Sequence, residues 1–173
     1  MRTLFWLFVR WIAAIVLAFF SAIFSPVITV ITTRTSFGLL RLFTDATLKD
    51  STITLGATTV NIISACAALS AYLLLALLIL LTNGISLRKG ILLFCYGSLL
   101  IFIANILRIE LLIYILHNYG TNYFETLHLI IWKIVASVYV AFVWVFLTWR
   151  FQITAMPIVS DIQQVMRSVK KKS

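Results

Sequence analysis

Charged residues are scarce in this sequence, which excludes an ordinary water-soluble domain. Asp, Glu, Lys and Arg make up 11% of the 173 residues, 62% of the residues are hydrophobic, and the mean hydropathy is +1.09. A chain this apolar cannot bury its hydrophobic surface in a core surrounded by water. A transmembrane helix needs roughly 20 apolar residues, so the length allows about four spans, or five at most, in a single membrane domain.

Acidic residues are rarer still, and the resulting positive charge has to be explained. Five Asp and Glu oppose 14 Lys and Arg, giving a net charge of +9. The cations lie mostly in the loops and tail between apolar runs and do not form a face interleaved with aromatic residues, so no nucleic-acid partner is predicted. Anionic lipid and membrane orientation account for them better.

Cysteine occurs only twice, as Cys66 and Cys95. Neither residue has the CxxC or Cys/His spacing of a zinc site or redox pair, and no metal or cofactor is predicted. The expected topology places the two cysteines near opposite faces of a membrane about 30 Å thick, beyond disulfide reach. Cys66 is therefore expected to be a free thiol.

Four long apolar runs predict an all-α integral membrane protein, a bundle of about four transmembrane helices. The first run is longer than the roughly 7–15 apolar residues of a signal peptide and lacks an A-x-A cleavage site, which favours a retained anchor. Pro26 is expected to kink or end this helix. The predicted spans cover about residues 4–31, 62–81, 91–116 and 127–149.

The remaining segments are predicted to lie at the membrane surface. Residues 32–61 form an outer segment that begins with an amphipathic stretch, and Thr52–Val60 shows a weak strand-like alternation around Gly56. The basic tail, residues 150–173, has apolar residues at helical spacing, which favours an interfacial helix on an anionic leaflet. A disordered tail is the alternative for its last residues.

The distribution of cations predicts that both termini face the cytoplasm. With four crossings, Cys66 and His128 fall at the outer starts of the second and fourth spans, and Arg108 falls in the outer half of the third. The residues on the positive side are Arg2, Arg10, Arg88, Lys89, Arg150, Arg167, Lys170, Lys171 and Lys172.

Arg108 is the clearest candidate for a functional residue inside a span. A charge at this depth costs about 2.5–3.5 kcal/mol on insertion scales, so such residues usually face the bundle interior. Asn105 lies three residues earlier and therefore on the same helix face. The alternative is a structural arginine whose hydrogen bonds go to backbone carbonyls or to Glu110.

Cys66, Arg108 and His128 share one depth and together resemble a nucleophilic site. A nearby cation favours the thiolate, a histidine can take the thiol proton, and Glu125, three residues before His128, is spaced to orient the imidazole. Taken singly, a membrane cysteine is more often a packing residue and an interfacial histidine is more often solvated.

Three other residues of reactive type receive no assigned role. Cys95 is expected near the cytoplasmic end of the third span, and His117 in the loop that follows this span. Lys133 is a second cation within the fourth span, and its function is left open. Cys95 and His117 therefore serve as internal controls.

The order and spacing of these motifs resemble the exosortase/archaeosortase family over roughly residues 56–150. The resemblance rests on Ala65-Cys66-Ala67-Ala68-Leu69-Ser70, on Asn105-Ile-Leu-Arg108-Ile, and on His128. Ala68 departs from the Gly that the family commonly has there, which puts close helix packing at this turn in question. Only one span precedes the core, whereas larger members have more.

This resemblance implies a cysteine transpeptidase of the prokaryotic cell membrane, with its active site toward the outer face. Its substrates would be secreted proteins with a C-terminal sorting signal, made of a short motif, a hydrophobic helix and a basic cluster. Cys66 would form a thioacyl intermediate. His128 would move protons, Arg108 would stabilise the thiolate or oxyanion, and Asn105 would support Arg108.

Two non-enzymatic functions compete with this hypothesis. In a small membrane scaffold or assembly subunit, Asn105 and Arg108 would hold helices together through hydrogen bonds, and Cys66→Ala would have no phenotype. A transporter or channel is disfavoured, because about four spans leave little room for inverted repeats and no paired Gly/Pro-broken helices occur.

Overall fold

The computed structural model describes residues 2–153, and these residues are mostly helical. Most of the predicted basic tail lies outside the described residues. Short non-α segments join or interrupt the helices at Ser21–Phe24, Ser64–Ala67 (both 3₁₀) and Ile131–Val135 (π-helical). The α-helices are α1 (Arg2–Phe20), α2 (Ser25–Arg41), α3 (Leu69–Leu81), α4 (Leu87–Tyr119), α5 (Thr121–Ile130) and α6 (Ala136–Arg150).

Two helical stretches of the described residues are long and apolar enough to cross a membrane, Phe8–Arg41 and Leu87–Tyr119. Helices α3 and α6 are shorter apolar helices. Helix α3 packs against α1, α4 and α6, and α4 packs against α6. Leu75, Leu93, Ile101, Val143 and Leu147 form a buried core between α3, α4 and α6.

The first helical stretch continues past the predicted end at residue 31. Pro26 occupies the first turn of α2, directly after the 3₁₀ turn, a position that tolerates proline, so the helical stretch continues through it. Thr32, Thr33 and Ser36 were expected in a polar surface segment, but they are 0%, 3% and 0% exposed. Helix α2 packs against α4 and the Ser64–Ala67 turn, and this packing buries the hydroxyl groups.

A small antiparallel sheet corrects the prediction of an all-α fold. Strands β1 (Thr47–Lys49), β2 (Thr52–Leu55) and β3 (Thr58–Asn61) pair in that order, and Ile53 faces Val60. The weak alternation in the sequence is thus confirmed as strand structure. Ile53 packs with Ile62 of the following segment and with Ile109 and Ile113 of α4, so a second core holds the sheet against one end of α4.

The second predicted span begins later than the hydropathy indicated. Ile62 and Ile63 are not helical, Ser64–Ala67 forms a 3₁₀ turn, and Ala68 adopts a left-handed conformation with φ 53° and ψ 30°. Helix α3 starts only at Leu69. Hydropathy cannot detect this boundary, because the residues on both sides of it are apolar.

The third and fourth predicted spans are longer as helices than as apolar runs. Helix α4 extends beyond residues 91–116 at both ends, and its N-terminus is capped by Ser86, whose hydroxyl accepts from the Lys89 backbone N–H. The predicted span 127–149 lies within the helical path formed by α5, the π-helical segment and α6.

Candidate functional site

Cys66 lies on the 3₁₀ turn between the sheet and α3, here called the Cys66 turn (Ser64–Ala67). Its backbone N–H donates a 2.8 Å hydrogen bond to the carbonyl of Ile63, and its side chain is partly buried against the core beneath the sheet. The left-handed Ala68 ends the turn and lets α3 start in a new direction. Cys66 is a free cysteine.

Asn105 and Arg108 of α4 converge on the backbone carbonyl oxygen of Cys66. Asn105 Nδ2 donates to this oxygen at 2.8 Å, and Arg108 Nη2 donates to it at 3.2 Å. Their spacing of three residues puts both side chains on one face of α4. The structure thus brings together three of the residues singled out in the sequence, through the carbonyl of Cys66.

A cavity of about 110 Å³ lies beside the Cys66 turn, between α3, α4 and the helix that contains the π-helical segment. Asn105 and Arg108 line it. The rest of its lining consists of the alanines Ala68, Ala71, Ala104 and Ala136 and the larger side chains of Ile101, Ile131, Val135, Tyr139 and Val140.

Asn105 and Arg108 keep unused hydrogen-bonding capacity. Asn105 is 5% exposed. Its Oδ1 and the Nε of Arg108 are buried, and neither atom has a hydrogen-bond partner within the part of the chain that the structure describes. An unpaired polar atom away from water costs roughly 1–3 kcal/mol, and more in a lipid surrounding.

His128 lies on α5, half-buried, with its ring edge-to-face against Phe124 at 5.4 Å between ring centroids. Ile131, three residues later on the same helical path, lines the cavity beside Arg108. His128 is therefore on the face of this helix that continues toward the cavity. Glu125, one turn before His128, is exposed.

Sequence reasoning missed the polar face that α2 turns toward the site. Ser36 donates a hydrogen bond to Glu110 of α4, and Thr32 and Thr33 are buried on the helix that packs against the Cys66 turn. The available signal was the helical spacing of these hydroxyls. Their burial depends on the neighbouring helix, which the sequence pattern does not specify.

The two control residues lie away from this constellation. Cys95 is exposed on α4, far toward the opposite end of that helix from Arg108. His117 lies in α4 and not in a loop, and its Nδ1 is 3.0 Å from Thr58 Oγ1, which fastens β3 to α4. Within residues 2–153, no three His, Cys, Asp or Glu side chains are grouped so as to hold a metal ion.

The comparisons with known proteins give one family match. The family model described as Transmembrane exosortase (Exosortase_EpsH) matches residues 1–152, which include every helix and strand described above. No curated protein and no solved structure matches the chain.

Proposed function

The chain belongs to the transmembrane exosortase family, and on this premise we propose that it is a membrane-embedded cysteine transpeptidase of the prokaryotic cell membrane. In its reaction the C-terminal sorting signal of a secreted protein is cleaved off, and the remaining protein is transferred to an envelope acceptor. The observation that carries this proposal is the meeting of Asn105 and Arg108 at the Cys66 carbonyl. It places a thiol-bearing residue beside a cation in largely apolar surroundings.

The proposed chemistry divides one acyl transfer into two steps. In the first, His128 takes the Cys66 thiol proton, the sulfur attacks the scissile carbonyl carbon, and a C–S bond forms. The peptide C–N bond then breaks, and the leaving amine takes the proton from His128. In the second, a nucleophile of the acceptor attacks the thioester carbonyl carbon, the C–S bond breaks, and the proton of the nucleophile passes through His128 back to the sulfur.

Arg108 and Asn105 act first as positioning residues in this proposal. Their hydrogen bonds to the Cys66 carbonyl fix the 3₁₀ turn that carries the thiol. The positive charge of Arg108 also favours a thiolate and a developing oxyanion, most strongly where water is excluded. Glu125 is assigned the supporting role of orienting His128.

The length of α3 supports a site recessed into the outer part of the membrane. Its 13 residues span about 20 Å, less than the roughly 30 Å of a hydrocarbon core. If its C-terminal end lies at the cytoplasmic interface, the Cys66 turn lies below the outer interface. The sheet and the end of α4 that holds it then stand on the outer side.

The same arrangement is consistent with the charge distribution. Arg88 and Lys89 lie in the first turn of α4, and Arg150 ends α6, so these three cations lie at the end opposite the sheet, whereas Arg41 and Lys49 lie at the sheet end. We assign this end to the cytoplasm, with both termini inside and four crossings made by α1–α2, α3, α4 and α5–α6.

The proposed partners follow from this orientation. The hydrophobic helix of the substrate signal lies beside the bundle, its basic cluster remains in the cytoplasm, and its short motif reaches the Cys66 turn from the outer side. Anionic lipids of the inner leaflet interact with the basic residues at the cytoplasmic end.

A non-enzymatic scaffold is the second candidate, and one observation favours it. Arg108 and Asn105 bond to a backbone carbonyl, which is also what helix-fastening residues do. The two functions differ in what they require of the thiol. A scaffold needs the carbonyl of Cys66, which alanine retains, whereas a transpeptidase needs the sulfur.

The deciding experiment replaces each cysteine in the source cells and follows the C-termini of secreted proteins by mass spectrometry. Cys66→Ala should cause secreted proteins to keep a C-terminal hydrophobic helix and basic cluster, whereas Cys95→Ala should leave their processing unchanged. Continued removal of such C-termini in Cys66→Ala cells, with normal protein levels, would refute the transpeptidase and leave the scaffold.

A further inference from the structure

We propose that the alanine-lined cavity beside the Cys66 turn selects the substrate residue that precedes the scissile bond, and that it accepts an aliphatic side chain of up to about four carbons. This inference rests on the proposed function. It adds the side-chain specificity of the cleavage and a second contact to the substrate backbone.

Two unpaired atoms of residues that line the cavity favour a peptide as its occupant. Asn105 Oδ1 is an acceptor and Arg108 Nε–H is a donor, and both are buried without a hydrogen-bond partner among residues 2–153. A residue in extended conformation presents its own N–H and C=O toward the same side, as in an antiparallel ladder. One such residue satisfies both atoms, its N–H donating to Asn105 and its C=O accepting from Arg108.

This placement agrees with the chemistry assigned to the site. The carbonyl that accepts from Arg108 Nε is the one that Cys66 attacks, so the guanidinium stabilises the oxyanion as it forms. Arg108 Nη2 and Asn105 Nδ2 meanwhile keep the nucleophile's turn in place through the Cys66 carbonyl. Each side chain thus uses one atom for the turn and a second atom for the substrate.

The size of the cavity sets the specificity. A cavity of 150 Å³ accommodates benzene, so a cavity of about 110 Å³ fits a valine or leucine side chain better than an aromatic ring. Asn105 and Arg108 line one part of the cavity, and the other lining side chains are aliphatic except Tyr139, whose hydroxyl donates to the Leu100 carbonyl. A charged side chain would therefore lose its hydration without gaining partners along most of the wall.

The test uses the intact purified protein and a set of N-acetyl-aminoacyl chloromethyl ketones that carry Ala, Val, Leu or Phe side chains. The thiolate displaces chloride, forming a C–S bond and breaking the C–Cl bond, and mass spectrometry gives the rates at Cys66 and Cys95 separately. We expect Val and Leu reagents to alkylate Cys66 about tenfold or more faster than the Phe reagent, with no such order at Cys95.

Two matched variants on α6 connect this order to the cavity. Ala136→Leu fills the cavity and should move the preference of Cys66 to the Ala reagent, whereas Ala141→Leu, on an exposed position of the same helix, should change nothing. The subsite proposal would be overturned if Ala136→Leu left the ranking of the reagents at Cys66 unchanged, or if the reagents ranked the same at Cys66 and Cys95.

The proposed hydrogen bond from the substrate N–H to Asn105 is tested separately. Asn105→Ala should lower the rate of Cys66 alkylation more for an N-acetylated reagent than for chloroacetone, because chloroacetone has no N–H to donate. Equal losses for both reagents would remove Asn105 from the subsite. These outcomes are separate from the proposed function, which fails only if Cys66→Ala cells still process their secreted proteins.

Discussion

Asn105 of α4 donates a 2.8 Å hydrogen bond to the carbonyl oxygen of Cys66, 39 residues earlier in the chain. This contact connects the interior of α4 to the 3₁₀ turn that contains Cys66. It holds the backbone of Cys66 and does not involve the sulfur. In an apolar surrounding water cannot replace a hydrogen bond that is lost.

Asn105→Ala should therefore destabilise the protein by about 0.5–1.5 kcal/mol, since it removes one buried hydrogen bond while Arg108 remains a partner of the Cys66 carbonyl. Thermal unfolding in detergent measures the change. Asn118→Ala is the matched control on the same helix, because Asn118 also donates to a backbone carbonyl but is exposed, and its loss should stay within about 0.5 kcal/mol. Equal losses of stability in the two variants would show that the hydrogen bond to Cys66 contributes no more than an exposed one.

Ala68→Gly should stabilise the protein by about 0.5–1 kcal/mol, because Ala68 has a φ of 53° and glycine adopts this region without a steric penalty. The same substitution at Ala141, in the interior of α6, should destabilise it by a similar amount. Melting temperatures of the two variants would move in opposite directions. A lower melting temperature for both would contradict the left-handed conformation.

For position 68, the family resemblance and the structure suggest different reasons why glycine is common. The family resemblance marks position 68 as one where Gly is common, and the sequence alone offers helix packing as the reason. The backbone gives a simpler one, since a left-handed residue is needed between the Cys66 turn and α3. The expected effect of having Ala68 instead of Gly is therefore a local cost in backbone conformation and not a change in helix packing.

Hydropathy and motif spacing account for a definite part of the molecule. The apolar runs locate the helical segments, because a chain whose solvent is lipid must satisfy its backbone polar groups internally. The spacing of Asn105 and Arg108 predicts a shared helix face, and both side chains reach the same oxygen. The strand-like alternation at Thr52–Val60 identifies β2 and β3.

Other features depend on tertiary contacts that no local pattern contains. Thr32 and Ser36 are polar by composition, and their complete burial requires α4 and the Cys66 turn as neighbours. The acceptor of Arg108 is a backbone carbonyl, which every residue has, so residue types cannot identify it. The orientation in the membrane and the roles of Cys66 and His128 remain predictions.

Gly97→Ala should destabilise the junction of α3, α4 and α6 by about 1–3 kcal/mol. An added Cβ would lie 2.5 Å from Leu75 Cδ2 and 2.9 Å from Leu147 Cδ1, and both leucines are fully packed, at 0% and 1% exposure. Gly38→Ala is the control, since no atom lies within 4 Å of its added Cβ and alanine favours the helix. A lower thermal stability for Gly38→Ala than for Gly97→Ala would contradict this packing.

His128→Ala should slow processing of secreted proteins by about 10²–10⁴-fold if His128 transfers the protons of both steps. His117→Ala removes the other histidine and its link to Thr58, and it should retain processing apart from any loss of protein. The readout is the fraction of substrate that keeps its C-terminal helix, normalised to the amount of each variant in the membrane. Equal activity of the two variants would remove His128 from the mechanism.

Labelling of intact cells with a membrane-impermeant thiol reagent tests the orientation and the depth of the site together. Cys66 lies at the sheet end of α4 and Cys95 toward its opposite end, so the proposed topology gives them access from different sides. Cys66 should react from outside, and more slowly than with a small permeant reagent because the turn is recessed. Cys95 should react only after the cells are opened. Labelling of Cys95 in intact cells while Cys66 stays protected would invert the topology and place the Cys66 turn on the cytoplasmic side, where secreted substrates do not remain.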